Sequence, residues 1–272
     1  MHFAKGHGTG NDFVLLPDPD GAIELTPQLV AALCARHFGL GADGVLRVVR
    51  SAKHPEAIRY AGDAEWFMDY HNADGSLAEM CGNGVRVFAR YLTSYGLVDA
   101  TRFPVATRSG LVTVDVRPGE VSAEITPRPA VGGGSGARLG DRDYPGTTAD
   151  VGNPHLVCPV DDVSTVDLSE PPILDATVFP ESANVEFVAG AEPVPEADLH
   201  VRMRVYERGS AETLSCGTGA CAVAAVALHT AGLDAGTVAV DLPGGRLTVA
   251  IDRDRCVLTG PALIVATGDA FV

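Results

Sequence analysis

The sequence predicts an α+β protein built from two related halves, and three observations carry that prediction. Short alternating runs of strand character outnumber helix-like ones, and they lack the regular βαβ order of a doubly wound sheet. The 272 residues suffice for one large domain or two ordinary ones with a sizeable core. A Cys-Gly-x-Gly motif that opens a helix-like stretch occurs twice, at Cys81 and Cys216, about half the chain apart.

Along the chain, PQLVAALCARHF predicts a first helix from Pro27 to Phe38, with Thr26 as N-cap, Pro at the first helical position and Gly39 as the stop. MCGNGVR (80–86) and the amphipathic VFARYLTSYGLV after it predict a second helix. RFPVATRSGLVTVDVRP and GEVSAEITP then alternate as strands. The Gly- and Pro-rich stretch 126–146, TPRPAVGGGSGARLGDRDYPG, predicts a loop. A domain junction at its start gives one domain of residues 1–127 plus 262–272 and another of 128–261; a flexible insertion within one domain is the alternative. ANVEFV and LHVRMRVYE are strand-like, SCGTGAC (215–221) with AVAAVALHTAGL opens a third helix, and GTVAVDLP, RLTVAI and RCVLTG are further strands. Two fainter echoes support the repeat: Gly10-Asn11-Asp12 with Gly152-Asn153-Pro154, and Tyr70-His71-Asn72 with Tyr206-Glu207-Arg208.

Composition narrows the function classes. The net charge is −15 and no basic block exists, which argues against a nucleic-acid backbone or an anionic membrane as partner. The N-terminus lacks the apolar core of a signal peptide, and the longest apolar run, within GACAVAAVAL, is too short to span a bilayer, so a cytoplasmic protein with reduced thiols is expected. No Cys-x-x-Cys pair occurs among the six cysteines. Cys34, Cys158 and Cys256 read as core residues, and Cys221, one turn past Cys216, as part of a buried face.

The repeated motif has a chemical logic. A cysteine at a helix N-terminus meets unpaired N–H groups and the positive end of the helix dipole, which favour thiolate. Glycines beside it let a ligand approach the backbone, and the same N–H groups bind a carboxylate. Two such sites around one α-carbon supply a base on one face and an acid on the other, as a racemisation or epimerisation needs. Near-attack contacts of roughly 3–3.5 Å on each side imply sulfurs about 6–7 Å apart. Pyridoxal chemistry would need a lysine, and only Lys5 and Lys53 exist, neither in a convincing cofactor context. A route without a pyridoxal cofactor is therefore expected, and the lack of a Cys-x-x-Cys pair speaks against a zinc site.

The motifs together resemble diaminopimelate epimerase. The matching pieces are GTGNDFVLL (8–16), HFGLGADGVL (37–46), MDYHNADGSLAEMCGNGVRVFARYL (68–92), VGNPHLV (151–157), ANVEFV (183–188), VYERGSAETLSCGTGACA (205–222) and PALIVATGDAF (261–271). The resemblance implies two pseudo-symmetric domains, each a curved, mostly antiparallel sheet around a central helix, with the active site in the interdomain cleft. It implies interconversion of LL- and meso-diaminopimelate in lysine and peptidoglycan-precursor synthesis with no cofactor and no metal, and a homodimer. It makes Cys81 and Cys216 the catalytic thiols, with His155 and Glu207 tuning them. Gly82, Asn83, Gly217 and Thr218 become donors to the reacting carboxylate. Asn11, Asn72, Asn153, Asn184 and Arg208 would grip the distal amino-acid end, with Glu207 on its ammonium. Asn, Arg and Glu suit such roles chemically. At Gly44 the chain departs from the Gln found in many family members. A racemase of proline, hydroxyproline or histidine on the same fold is the alternative, and a thiol redox or metal-binding protein a more remote one.

Overall fold

The computed structural model describes residues 1–271, which divide into two compact units. The first comprises Met1–Ala123 and the return segment from Gly260, and the second Glu124–Thr259. The first unit holds β1 (His2–Gly8), β2 (Asn11–Pro17), α1 (Pro27–Cys34), β3 (Gly44–Arg50), β4 (Trp66–Asn72), α2 (Gly82–Ser94), β5 (Arg102–Thr107), β6 (Gly110–Arg117) and β7 (Glu120–Ile125). The second holds β8 (Ala130–Leu139), β9 (Arg142–Asp150), β10 (Pro154–Pro159), β11 (Ile173–Leu174), β12 (Asn184–Gly190), β13 (Leu199–Glu207), β14 (Ala211–Thr213), α3 (Gly217–Thr230), β15 (Gly236–Leu242), β16 (Gly245–Ile251) and β17 (Cys256–Gly260). The last strand, β18 (Leu263–Asp269), belongs to the first unit.

Each unit builds its sheet the same way. In the first, neighbours run β18–β1–β2–β3–β4–β5–β6–β7, antiparallel except for β2–β3 and β4–β5. In the second they run β8–β9–β10–β12–β13–β15–β16–β17, antiparallel except for β10–β12 and β13–β15. The sequence of senses is the same in both, which establishes the two related halves as structure. Parallel neighbours need a crossover. In each unit a helix with a Cys-Gly-x-Gly start makes the second one: α2 between β4 and β5, α3 between β13 and β15.

These helices are the centres of their units. The first eight residues of α2, Gly82 to Ala89, are all buried, and it packs on β1, β2, β3, β4, β6 and β18. In α3 the small residues of GACAVAAV let strands approach on all sides, among them β8, β9, β10, β12, β13, β15 and β16. A helix apolar around its circumference has to be enclosed in this way. Both helices also end alike: Gly96 and Gly232 take positive φ (65° and 71°), and the next residue bonds back, Leu97 N to Leu92 O and Leu233 N to Leu228 O, each at 2.9 Å. This is the closed end that a left-handed glycine allows. Side chains such as Phe88 and Phe187, with no exposed surface, each contribute roughly 1.5–3 kcal/mol by burial.

Two local expectations are corrected. The first helix stops at Cys34 rather than Phe38. Beyond it the chain folds back so that Leu40 N and Gly41 N both bond Leu33 O, at 2.9 and 3.1 Å, and Phe38 is left exposed. The expected loop 126–146 is instead mostly a long hairpin of β8 and β9. Its tight turn is Gly140-Asp141, with Gly140 at φ 55° and Leu139 paired to Arg142. Ala137, Leu139 and Tyr144 point into the core, while Gly132, Gly133 and Gly134 lie on exposed strand positions, where composition alone reads as loop.

Candidate active site

Each unit gathers its candidate residues at one end of its sheet. In the first, β2 starts at Asn11, β3 starts at Gly44, β4 ends at Asn72, and Cys81 precedes α2. In the second, Asn153 precedes β10, β12 starts at Asn184, β13 ends at Glu207, and Cys216 precedes α3.

Cys81 and Cys216 are both helix N-caps with extended backbone (φ −139° and −119°). The Cys81 sulfur accepts from Gly84 N at 3.4 Å, and the Cys216 sulfur from Gly219 N at 3.3 Å. Each sulfur is thus fixed over the first turn, where the helix dipole is positive. The thiols of Cys34, Cys158, Cys221 and Cys256 are buried. Burial pushes the Cys34 thiol up to about 11, and burial and then Glu186 push that of Cys158 to about 12, so both are poor nucleophiles.

The surroundings of the two sulfurs differ. Beside Cys81 stands an amide and guanidinium network. The Cys81 thiol is 3.6 Å from Asn11 Oδ1, which also accepts from Asn83 Nδ2 at 3.3 Å. Asn83 Oδ1 accepts from Arg86 Nη2 at 2.8 Å, and Arg86 Nη1 donates to Gly82 O at 2.9 Å, with the whole arginine enclosed. Asn11 Nδ2 in turn donates to Asp43 Oδ2 at 2.7 Å. Asn72 bonds within its own turn, to Ser76 Oγ at 3.0 Å. No side chain acts from position 44, and a Cβ there would lie 2.5 Å from His71 O, so this backbone leaves no room for glutamine.

Cys216 sits among acids. Burial first, then the Glu207 and Glu186 carboxylates, push its thiol well above the usual range, against the Thr218 hydroxyl at 3.5 Å and Gly219 N. Glu207 accepts from the Thr213 hydroxyl and from Cys216, and burial raises its carboxyl above the ordinary value. His155, wholly buried, places Nδ1 2.7 Å from Glu186 Oε1 and Nε2 3.1 Å from Asn153 Oδ1. Asn184 Oδ1 accepts from Arg208 N at 2.9 Å, and the exposed Arg208 side chain reaches Glu181 O at 3.4 Å.

The second unit therefore brings Asn153, His155, Asn184, Glu207, Arg208, Cys216, Gly217 and Thr218 to one sheet end, and the first does the same for Asn11, Cys81, Gly82 and Asn83. Sequence reasoning missed Asp43, Arg86 and Glu186. The last two were visible as charges inside apolar runs, VRVF and NVEFV. Among the described residues, no group of three or more His, Cys, Asp or Glu side chains is disposed to hold a metal ion, and no helix is long and apolar enough to cross a membrane.

Twin α+β units, each wrapping a Cys-capped central helix, define a fold shared with solved structures of low sequence identity. A phenazine biosynthesis protein of the PhzF family from Bacillus anthracis superposes with a TM-score of 0.74 over 100% of this chain and 99% of its own, at 16% identity. A hydroxyproline epimerase from Agrobacterium vitis reaches 0.65 over 98% and 91%, also at 16% identity. Sequence is more specific. The family model described as diaminopimelate epimerase matches residues 3–126 and 147–265. The diaminopimelate epimerase of Thermobifida fusca is 55% identical over 99% of this chain and 97% of its own length, and that of Streptomyces coelicolor 50% over 98% and 94%. The chain belongs to the diaminopimelate epimerase family.

Proposed function

We propose that the protein interconverts LL- and meso-2,6-diaminopimelate by moving a proton at one α-carbon between two thiols, without pyridoxal phosphate, in lysine and peptidoglycan-precursor biosynthesis. The observation that carries this reading is the pair of cysteine N-caps, each with its sulfur held by the third helical N–H. N–H groups of Gly82, Asn83, Gly217 and Thr218 receive the carboxylate of the reacting centre, where negative charge develops as the α-proton leaves. Asn11, Asn72, Asn153, Asn184 and Arg208 hold the distal amino acid, and Glu207 its ammonium.

Burial beside two carboxylates favours the thiol at Cys216, and a place at a helix N-terminus favours thiolate at Cys81, which supports one starting state. Cys216, buried beside carboxylates, enters as thiol. Cys81 then takes the α-proton as thiolate, and Cys216 delivers its own proton to the opposite face. The turnover ends with Cys81 as thiol and Cys216 as thiolate. The opposite direction starts from that form, and proton exchange with solvent resets it. His155 and Glu207 tune the Cys216 side. The reading includes a homodimer, as the family resemblance implies, and a location in the cytoplasm.

Incubation with LL-diaminopimelate in D₂O under reducing conditions, with no added cofactor, tests the proposal. Deuterium at one α-carbon together with meso product, lost in both Cys81→Ala and Cys216→Ala, is the expected result. Exchange with proline or histidine in its place would discard the substrate, and no exchange with any amino acid would discard the enzyme reading.

A further inference from the structure

Glu186 is a carboxylate with no exposed surface in the middle of β12, on a strand whose neighbours are apolar. Its Oε1 is bonded to His155 Nδ1 at 2.7 Å, while Oε2 has no hydrogen-bond partner among the described residues. A buried, half-satisfied carboxylate costs stability and calls for a functional reason. Its position supplies one. A Cβ added to Gly219 would lie 2.7 Å from Glu186 Oε1 and 3.3 Å from the Cys216 sulfur, so carboxylate and sulfur flank the same point, within about 6 Å of each other. Gly219 thus has two tasks: its N–H holds the sulfur, and its missing side chain admits the carboxylate beneath the first turn of α3.

The charged and titratable groups around this sulfur are Glu207 on β13, Glu186 on β12 and His155 on β10, with the Cys158 thiol facing Glu186 from behind. His155 faces oxygen atoms with both ring nitrogens, Glu186 Oε1 and Asn153 Oδ1. The contact from Nδ1 pins the carboxylate in place, and the contact from Nε2 holds the ring.

We propose that Glu186 is a positioning residue of the Cys216 half-site: its carboxylate, anchored by His155 under the first turn of α3, keeps the neighbouring sulfur in its thiol form in the substrate-free protein. This rests on Cys216 being one of the two reacting thiols. Within about 6 Å in a poorly screened interior, one negative charge is enough to change the thiolate fraction by 10-fold or more.

The test is a pH titration of ultraviolet thiolate absorbance in the reduced full-length protein, with the signal of the matching Cys216→Ala protein subtracted for the parent and for each Glu186 variant, so that any change at Cys158 cancels. Glu186→Gln keeps the shape and removes the charge; Glu186→Asp keeps the charge and changes the shape. At a pH below both midpoints, Glu186→Gln is expected to raise the Cys216 thiolate signal about 10-fold or more, and Glu186→Asp to raise it less than 3-fold. An unchanged signal in Glu186→Gln, or a rise in Glu186→Asp as large as in Glu186→Gln, overturns the proposal, since shape and not charge would then govern the thiol. If Glu186→Gln fails to fold, Glu186→Asp still decides: a rise of 10-fold or more with the charge retained overturns it. No substrate is present, so this outcome is separate from that of the deuterium experiment.

Discussion

Arg86 is a permanent cation with no contact with water, an arrangement that only strong local partners sustain. Its guanidinium spans Gly82 O and Asn83 Oδ1, the first turn of its own helix, and so fixes the amide that faces Asn11 and, through it, Cys81. Arg86→Met leaves two buried acceptors short of a donor, and at roughly 1.5–3 kcal/mol for each bond to a charged group the expected loss is about 3 kcal/mol after the gain in apolar packing. Arg86→Lys keeps the charge but not the planar fork, so an intermediate loss is expected. Urea unfolding measures both; a loss below about 1 kcal/mol in Arg86→Met would show that the clamp is not what holds this turn. The motif around Arg86 was legible because its residues are contiguous in the chain. Asp43 and Glu186 were not legible as site residues, because their partners Asn11 and His155 lie far from them in sequence and are joined only by strand pairing.

At the scale of elements, legibility follows how local the determinant is. The N-cap of α1 was readable: Thr26 accepts from Leu29 N at 3.2 Å, with Pro27 at the first position. Its end was not, because the chain leaves the helix to bring Leu40 and Gly41 back onto Leu33, a choice made by packing. The hairpin of β8 and β9 was hidden for the opposite reason, since glycines that usually mark loops here occupy exposed strand positions and one tight turn. Gly39 shows how close the return after α1 is: a Cβ there would lie 2.0 Å from Ala32 O, a backbone atom that cannot swing aside. Gly39→Ala is therefore expected to destabilise the protein by about 2–4 kcal/mol through displaced backbone. Gly62→Ala, with nothing within 4 Å of its added carbon, should stay within about 1 kcal/mol of the parent. Equal denaturation midpoints for the two variants would refute the assignment of close approach at Gly39.

For the whole molecule, the half-chain spacing of the two motifs pointed to related halves, whereas the matching series of strand senses emerges only from pairing. What the full chain does in acid depends on which charges dominate. The net charge of −15 makes protonation of surface carboxylates mildly favourable, but salt at physiological strength screens that repulsion over about 8 Å. Asp69 is screened far less, being wholly buried. Burial alone would raise its carboxyl, but His71 at 3.0 Å, Arg47 at 2.6 Å and Arg108 outweigh burial and hold it far below the usual carboxylate range. A carboxyl lowered in the folded state contributes stability that is complete above its unfolded value and is lost as pH falls through that value towards the folded one. Asp12 and Asp241 are lowered too, by Arg36 and Lys5 and by Arg246, and add in the same direction. Glu207 is raised by burial, so its contribution is lost as pH rises instead, but it is a single group. Stability is thus expected to fall below about pH 4, in spite of the relief of repulsion. Asp69→Asn removes the anion that Arg47 and Arg108 share but leaves Asp18 beside Arg47 and Glu56 beside Arg108, so the cost is expected at about 3 kcal/mol at pH 7. Because the parent loses the Asp69 contribution in acid and the variant has none to lose, the gap between them should narrow by about 1 kcal/mol at pH 3. Urea unfolding of both proteins at pH 7 and pH 3 in 0.15 M salt measures this, and a gap that stays constant would place the acid sensitivity elsewhere in the molecule.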